Sequence, residues 1–184
     1  MNLELATRAG LPDALRVLLT DYPKADWQSD PGFDGLVAFW LDRHLMFRNI
    51  LDRLNNDCEA FLDRKSPAKT FGTSVSRLGS MFVQGLHGHH QIEDTQYFPI
   101  LSQKDTRLIH GFEILEKDHD AMDGILNSFV GAANDTLGGL DTANERNLAG
   151  AFHTQVTELT RLLDRHLTDE EELIVPVLLK FGTY

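Results

Sequence analysis

The chain has 184 residues, 42 % of them hydrophobic and 24 % charged, which suits one compact soluble domain with a sizeable core. A formal charge of −11, without a cluster of Lys and Arg, argues against nucleic acid as a partner, because nothing would neutralise the phosphates. The single Cys58 excludes an intramolecular disulfide and fits a reducing cytoplasm; the opening MNLELATRAG does not read as a secretory leader, and no apolar run approaches the roughly 20 residues that span a bilayer.

Residues 11–20 (LPDALRVLLT) predict a short amphipathic helix with Pro12 near its start, where a missing N–H costs little. The stretch DYPKADWQSDPGFD that follows reads as a loop. Four longer helical patterns come next, at 34–62, 68–101, 106–131 and 143–180, broken at KSP, SQKD and NDTLGGLDTAN. Each carries an apolar stripe at a spacing of three to four residues, for example Trp40, Leu41, Phe47 and Leu51 in the first. The expected fold is therefore all-α: a four-helix bundle over 34–184, with residues 1–33 as a separate N-terminal extension of short helix plus loop.

The stripes carry histidines. His44 continues Trp40–Leu41, His89 follows Phe82 and Leu86, His119 follows Phe112 and Leu115, and His166 follows Leu159 and Leu163. Residues four apart share a helix face, so Glu93 joins His89, Glu170 joins His166, and Asp123 joins His119. The surroundings of the two His–Glu pairs repeat: HHQIEDTQYFP at 89–99 and HLTDEEELIVP at 166–176. Each half of the chain thus supplies one His from its first helix and a His/Glu pair from its second.

A lone H-x-x-x-E on a surface is an ordinary side-chain pair worth about 0.2–0.5 kcal/mol. Two such pairs at one level of a core, facing two further histidines, call for another explanation. Buried carboxylates without partners cost several kcal/mol. Four imidazoles with two or three carboxylates exceed what one tetrahedral zinc uses and suit two ions bridged by carboxylate. Mixed nitrogen and oxygen donors favour iron over manganese or zinc. His90 and Asp94 have the same spacing one residue out of phase, and adjacent helix positions point about 100° apart, so this second pair is expected to stay off the central face, with His90 at most orienting a ligand. His87, His110 and His153 are expected in solvated or capping positions. Tyr97 lies near the level of the site, and Pro99 and Pro176 are expected to bend or end helices beyond it.

HHQIEDTQYFP, HLTDEEELIVPVL, EKDHDAMDGIL and DRHLMFRNIL together resemble the hemerythrin-like HHE cation-binding family, over about residues 34–180. The resemblance implies an up-down-up-down four-helix bundle holding a non-haem di-iron centre, carboxylate- and oxo- or hydroxo-bridged, with His44, His89, Glu93, His119, His166 and Glu170 as ligands. It implies a protein, monomeric or homodimeric, that binds or senses O2, peroxide, nitric oxide or iron. The alternatives are an enzyme of peroxide or nitric-oxide detoxification and an iron-dependent regulatory module. Oxygen-carrying hemerythrins have a second His four residues after the one on the third helix, where this chain has Asp123. They also space the last carboxylate five residues from its His, whereas here Glu170 is at four and Glu171 at five. Both departures weigh against plain oxygen carriage.

Overall fold

The computed structural model describes residues 3–33 and 35–182. Asp34, the expected start of the first long helix, lies outside the described residues. So do Met1 and Asn2 of the expected extension and Thr183 and Tyr184 at the end of the expected bundle domain. Among the described residues the chain is all-α, with no strand.

Helix α1 spans Gly35–Leu62. Its end is closed by Arg64 in the left-handed conformation (φ 62°), with the Lys65 N–H reaching back to the Ala60 carbonyl at 2.8 Å. Helix α2 spans Ala68–Ile92. A π-helical turn, Glu93–Tyr97, follows it and leads into the short α3, Phe98–Leu101. In that turn the Phe98 N–H bonds the Glu93 carbonyl, five residues back. Pro99, with no N–H, cannot donate to Thr95, so the wider turn forms where the ordinary ladder is already interrupted. Asp105 accepts from the Arg107 N–H and opens a 3-10 turn, Thr106–Leu108, ahead of α4, Ile109–Gly138. Helix α5 spans Glu145–Phe181 with Pro176 inside it. Its start is marked by the Glu145 carboxylate accepting from the Asp141 N–H at 3.1 Å.

The N-terminal segment departs from expectation. Residues 11–20 do not form one amphipathic helix but two 3-10 turns, Asp13–Leu15 and Val17–Thr20, and the expected loop contains a third, Lys24–Ser29. A ten-residue helix is marginal by itself. Arg16 breaks this one (φ −115°, ψ 30°) while its guanidinium reaches Glu172 at 2.6 Å. Tertiary contacts thus set the local shape.

Contacts divide the chain into two compact units, and each long helix contributes residues to both. One unit comprises Met1–Leu45, His89–Ala121 and Leu163–Tyr184. Its core joins Leu11, Leu15, Leu18 and Trp27 of the N-terminal segment to Trp40, Phe98, Phe112, Leu115, Ile174 and Leu178. A Cβ on Gly32 would lie 2.6 Å from the Leu179 carbonyl oxygen, so glycine is what lets this segment approach α5 so closely. The other unit comprises Met46–Gly88 and Met122–Leu162. Its core is a run of aromatic rings: Phe47 edge-on to Phe82 (6.1 Å), Phe82 to Phe129 (5.9 Å) and Phe129 to Phe152 (5.3 Å), with Phe61 stacked on Phe71 (4.5 Å). Cys58 is buried in this unit. No helix among the described residues is long and apolar enough to cross a membrane.

Candidate metal centre

Among the described residues, the candidate ligands that come together all belong to the first unit. They form two groups, in each of which one donor atom per residue lies within 4.8 Å of the others: His44, His89, Glu93 and Glu170, and next to these His90, His119 and His166. Within each group the imidazoles converge through Nε2. His44 and His89 approach to 3.1 Å, and His119 and His166 to 3.2 Å. The two glutamates reach both groups. Glu93 Oε1 is 3.0 Å from His89 while its Oε2 is 3.7 Å from His119. Glu170 Oε2 lies 3.6 Å from His44 and 3.5 Å from His166.

Outer carboxylates fix the rings. The Nδ1–H of His44 faces Glu171 Oε1 at 3.0 Å, that of His119 faces Asp94 Oδ1 at 2.7 Å, and that of His166 faces Asp118 Oδ2 at 3.2 Å. An ionised carboxylate only accepts, so each of these Nδ1 atoms carries a proton, and in the neutral ring Nε2 is then left with its lone pair toward the interior. The Trp40 indole N–H donates to Glu170 Oε1 at 2.8 Å, which turns the other oxygen toward the imidazoles. Trp40 also packs on Tyr97, their ring centres 4.9 Å apart.

The donors left over define what the site lacks. Both carboxylate oxygens of Glu93, Oε2 of Glu170 and Nε2 of His90 are buried without a hydrogen-bond partner. These are the atoms that point between the rings, and buried polar groups without partners are rare and costly. Burial, together with the nearby Glu170 charge, pushes the Glu93 carboxyl well above the usual range. Burial also acts to raise Glu170, but His44, His89 and His166 outweigh it and hold this carboxyl well below. Desolvation, joined by the neighbouring rings, pushes His89 down to about 3 and His90 well below its ordinary value. The site thus holds imidazoles that burial lowers, His89, His90 and His166, and one, His44, that Glu170 and Glu171 raise against the effect of burial, around a carboxylate pair that cannot comfortably carry two charges. Cations placed among them would meet lone pairs already aimed inward and would relieve the repulsion between the carboxylates. The residues present fit bound metal.

His44, His89, Glu93, His119, His166 and Glu170 are brought together as the sequence spacing suggests. Asp123 is not: it is exposed on α4 and belongs to neither group. The buried stripe of α4 passes from His119 to Met122 and on to Leu126, a step of three and then four, which turns position 123 to solvent. His90 moves the other way. It is buried, stacked on His119 at 3.9 Å, and supplies the third imidazole of its group. Because the interior holds two adjacent donor groups, His89 and His90 can point about 100° apart and each still face one of them. Asp94 stays out of both groups and orients His119, and Glu171 stays out and orients His44. His87 and His110 are exposed, and His153 is partly exposed, 3.9 Å from Glu59.

Three features escaped the sequence. Asp118 could have been suspected from its place beside His119 in EKDHD. Trp40 was visible as a core residue, but its hydrogen bond was not. Arg8, which bonds Asp118, carries no local signal because its partners lie 110 and 161 residues away.

No curated protein matched the chain, and no solved structure did. The family model of the hemerythrin HHE cation binding domain matches residues 35–178. That span contains every residue of both donor groups, and the chain belongs to this family of cation-binding domains.

Proposed function

We propose that the chain is a non-haem di-iron protein that binds or senses a small ligand, O2, peroxide or nitric oxide, or iron itself. The observation that carries this reading is the pair of adjacent donor groups, five imidazoles and two carboxylates, with Glu93 and Glu170 reaching into both. One tetrahedral zinc would leave part of this set unused, whereas two ions with carboxylate bridges use it, and the mixed donors favour iron over manganese. Iron held there would supply reversible electron exchange and a position for a small ligand. The protein's part is to present Nε2 donors, to keep Glu170 turned inward through Trp40, and to limit access by water. Six of the seven donors are at most 5 % exposed and only His89 reaches 12 %, which suits a diatomic or peroxide better than a bulky substrate.

In this reading residues 34–184 form the metal-binding domain, with 1–33 as an added segment, and the protein works as a cytoplasmic monomer or homodimer without nucleic-acid or membrane partners. The test is metal analysis, with an absorption spectrum, of protein purified without chelators. Two irons per chain are expected. One zinc per chain, or no metal after incubation with ferrous iron, overturns the proposal.

A further inference from the structure

The acidic run Asp169–Glu172 on α5 contains one donor of the site, Glu170, and three carboxylates that face elsewhere. Those three are met by cations of the N-terminal segment. Arg8 donates to Asp169 at 2.7 Å, Arg16 to Glu172 at 2.6 Å, and Lys24 lies 3.7 Å from Glu171 and 3.5 Å from Glu172. Arg8 differs from the other two in being buried, its side chain only 1 % exposed. Its guanidinium is shared between α4 and α5. Nη1 and Nη2 both bond the Asp118 carboxylate, and Nε bonds Asp169. Asp118 in turn accepts from His166 Nδ1. Asp169 also takes the Leu11 N–H at 3.1 Å and Arg165 at 2.7 Å, and Arg165 bonds the Ala9 carbonyl at 2.6 Å. A chain of charge-assisted bonds therefore runs from the N-terminal segment to one ring of the second donor group.

We propose that Arg8 is a positioning residue of the metal centre: by clamping Asp118 in a fork it sets the tautomer and orientation of His166, and it thereby couples retention of the ion held by His90, His119 and His166 to docking of the N-terminal segment. The inference rests on the metal-binding reading above. A planar fork held by two carboxylates fixes Asp118 in direction as well as position, which a single-point contact would not. Without Arg8, Asp118 can rotate away, and His166 can then turn or exchange its proton to Nε2. The His44 ring is oriented by Glu171, which Arg8 does not touch, so the two donor groups respond differently. Arg8 lies outside the span that matches the family model.

The experiment compares full-length wild type, Arg8→Gln, Arg8→Lys and Leu18→Ala, each loaded with ferrous iron. Leu18→Ala loosens the same segment through the core and leaves Asp118 untouched. Iron release to excess chelator is followed together with thermal midpoints, and amide exchange over residues 8–11 is measured with and without iron. For Arg8→Gln, release is expected to become biphasic, one of two irons leaving at least about tenfold faster, as loss of an outer-sphere partner typically causes. Arg8→Lys should fall between it and wild type, and it carries the test alone if the Gln variant does not fold. Leu18→Ala, which weakens docking but keeps the clamp, should accelerate release less than Arg8→Gln. Iron should slow exchange at residues 8–11 in wild type and not in Arg8→Gln, because coupling between two sites is reciprocal. Wild-type release kinetics in the folded Arg8 variants overturn the proposal. So does acceleration in Leu18→Ala equal to that in Arg8→Gln, which would make Arg8 merely structural. Wild type that binds no iron refutes the metal reading itself and is recognised before any variant is compared.

Discussion

Replacing Trp40 with Phe removes one hydrogen bond and little else. The indole N–H lies 2.8 Å from Glu170 Oε1, and this carboxylate is fully buried and held in its charged form by the histidines around it. Hydrogen bonds to buried charges contribute about 1.5–3 kcal/mol. The smaller ring also gives up apolar contact, on the order of 1 kcal/mol if about 40 Å² of buried surface is lost. The metal-free protein should lose about 3 kcal/mol, read from urea unfolding by the fluorescence of the remaining Trp27. Trp27→Phe is the matching control. Its indole donates to the neutral Tyr22 carbonyl, so it should lose less, and the difference between the variants isolates the charged bond. A loss in Trp40→Phe below about 1 kcal/mol, or no greater than that in Trp27→Phe, would show that the indole does not hold Glu170 in place.

Two further substitutions and one thiol test the remaining assignments. His90→Ala should lower iron from two per chain to one, whereas Asp123→Asn should leave both the stoichiometry and the spectrum unchanged; a loss of iron in Asp123→Asn would restore that residue to the ligand set. Cys58 is buried, and desolvation, with Asp57 and Glu59 nearby, pushes its thiol from 9.0 up to about 12. The native protein should therefore resist thiol reagents at pH 8 and react quickly only in denaturant. A native pKa above the unfolded one means that stability from this group is full below pH 9 and is lost as pH rises toward 12. Rapid labelling of folded protein at pH 8 would refute this.

The long helices were legible because their apolar residues recur at helical spacing, and six donors were legible because they continue those stripes. The signal failed where geometry is set by more than one helix. Setting His90 aside assumes that one turn of α2 faces one target. The interior holds two, and the π-turn at Glu93–Tyr97 changes the spacing of the side chains after Glu93 in a way no local pattern announces. The four-residue rule that finds Glu93 also selects Asp123, but the stripe of α4 steps by three at that point. The amphipathicity of residues 11–20 predicts a helix, yet the backbone of the N-terminal segment is shaped by Arg8, Arg16 and Lys24 meeting carboxylates on other helices. Long-range ion pairs leave no periodicity to read.

The two glutamates offer the sharpest separation of fold from function. Glu93 is buried with neither oxygen hydrogen-bonded, and burial beside Glu170 pushes its carboxyl well above the usual range. A carboxyl whose native pKa is raised favours the folded state only below its unfolded pKa, near 4.5, and that contribution disappears as pH rises through the native value. At neutral pH, then, Glu93 works against folding of the metal-free protein, by an amount on the order of kcal/mol, as an unpaired buried charge or as a proton taken up to avoid one. Gln has the same shape, carries no charge, and its amide can donate to Glu170 Oε2, which otherwise has no partner. Glu93→Gln should therefore raise the melting temperature of the metal-free protein at pH 7 and leave it nearly unchanged at pH 4, where the native carboxyl is already neutral. The same substitution removes an anionic donor placed between the two groups, so iron binding should fall and the stabilisation that wild type gains from iron should shrink. Glu170→Gln should behave oppositely without metal. This carboxylate is held in its charged form by three imidazoles and by Trp40, so its neutralisation should lower the melting temperature. The measurement is a set of thermal melts with and without ferrous iron at the two pH values. A metal-free Glu93→Gln less stable than wild type at pH 7 would mean that Glu93 supports the fold by itself, and that the buried carboxyl is not there for a cation.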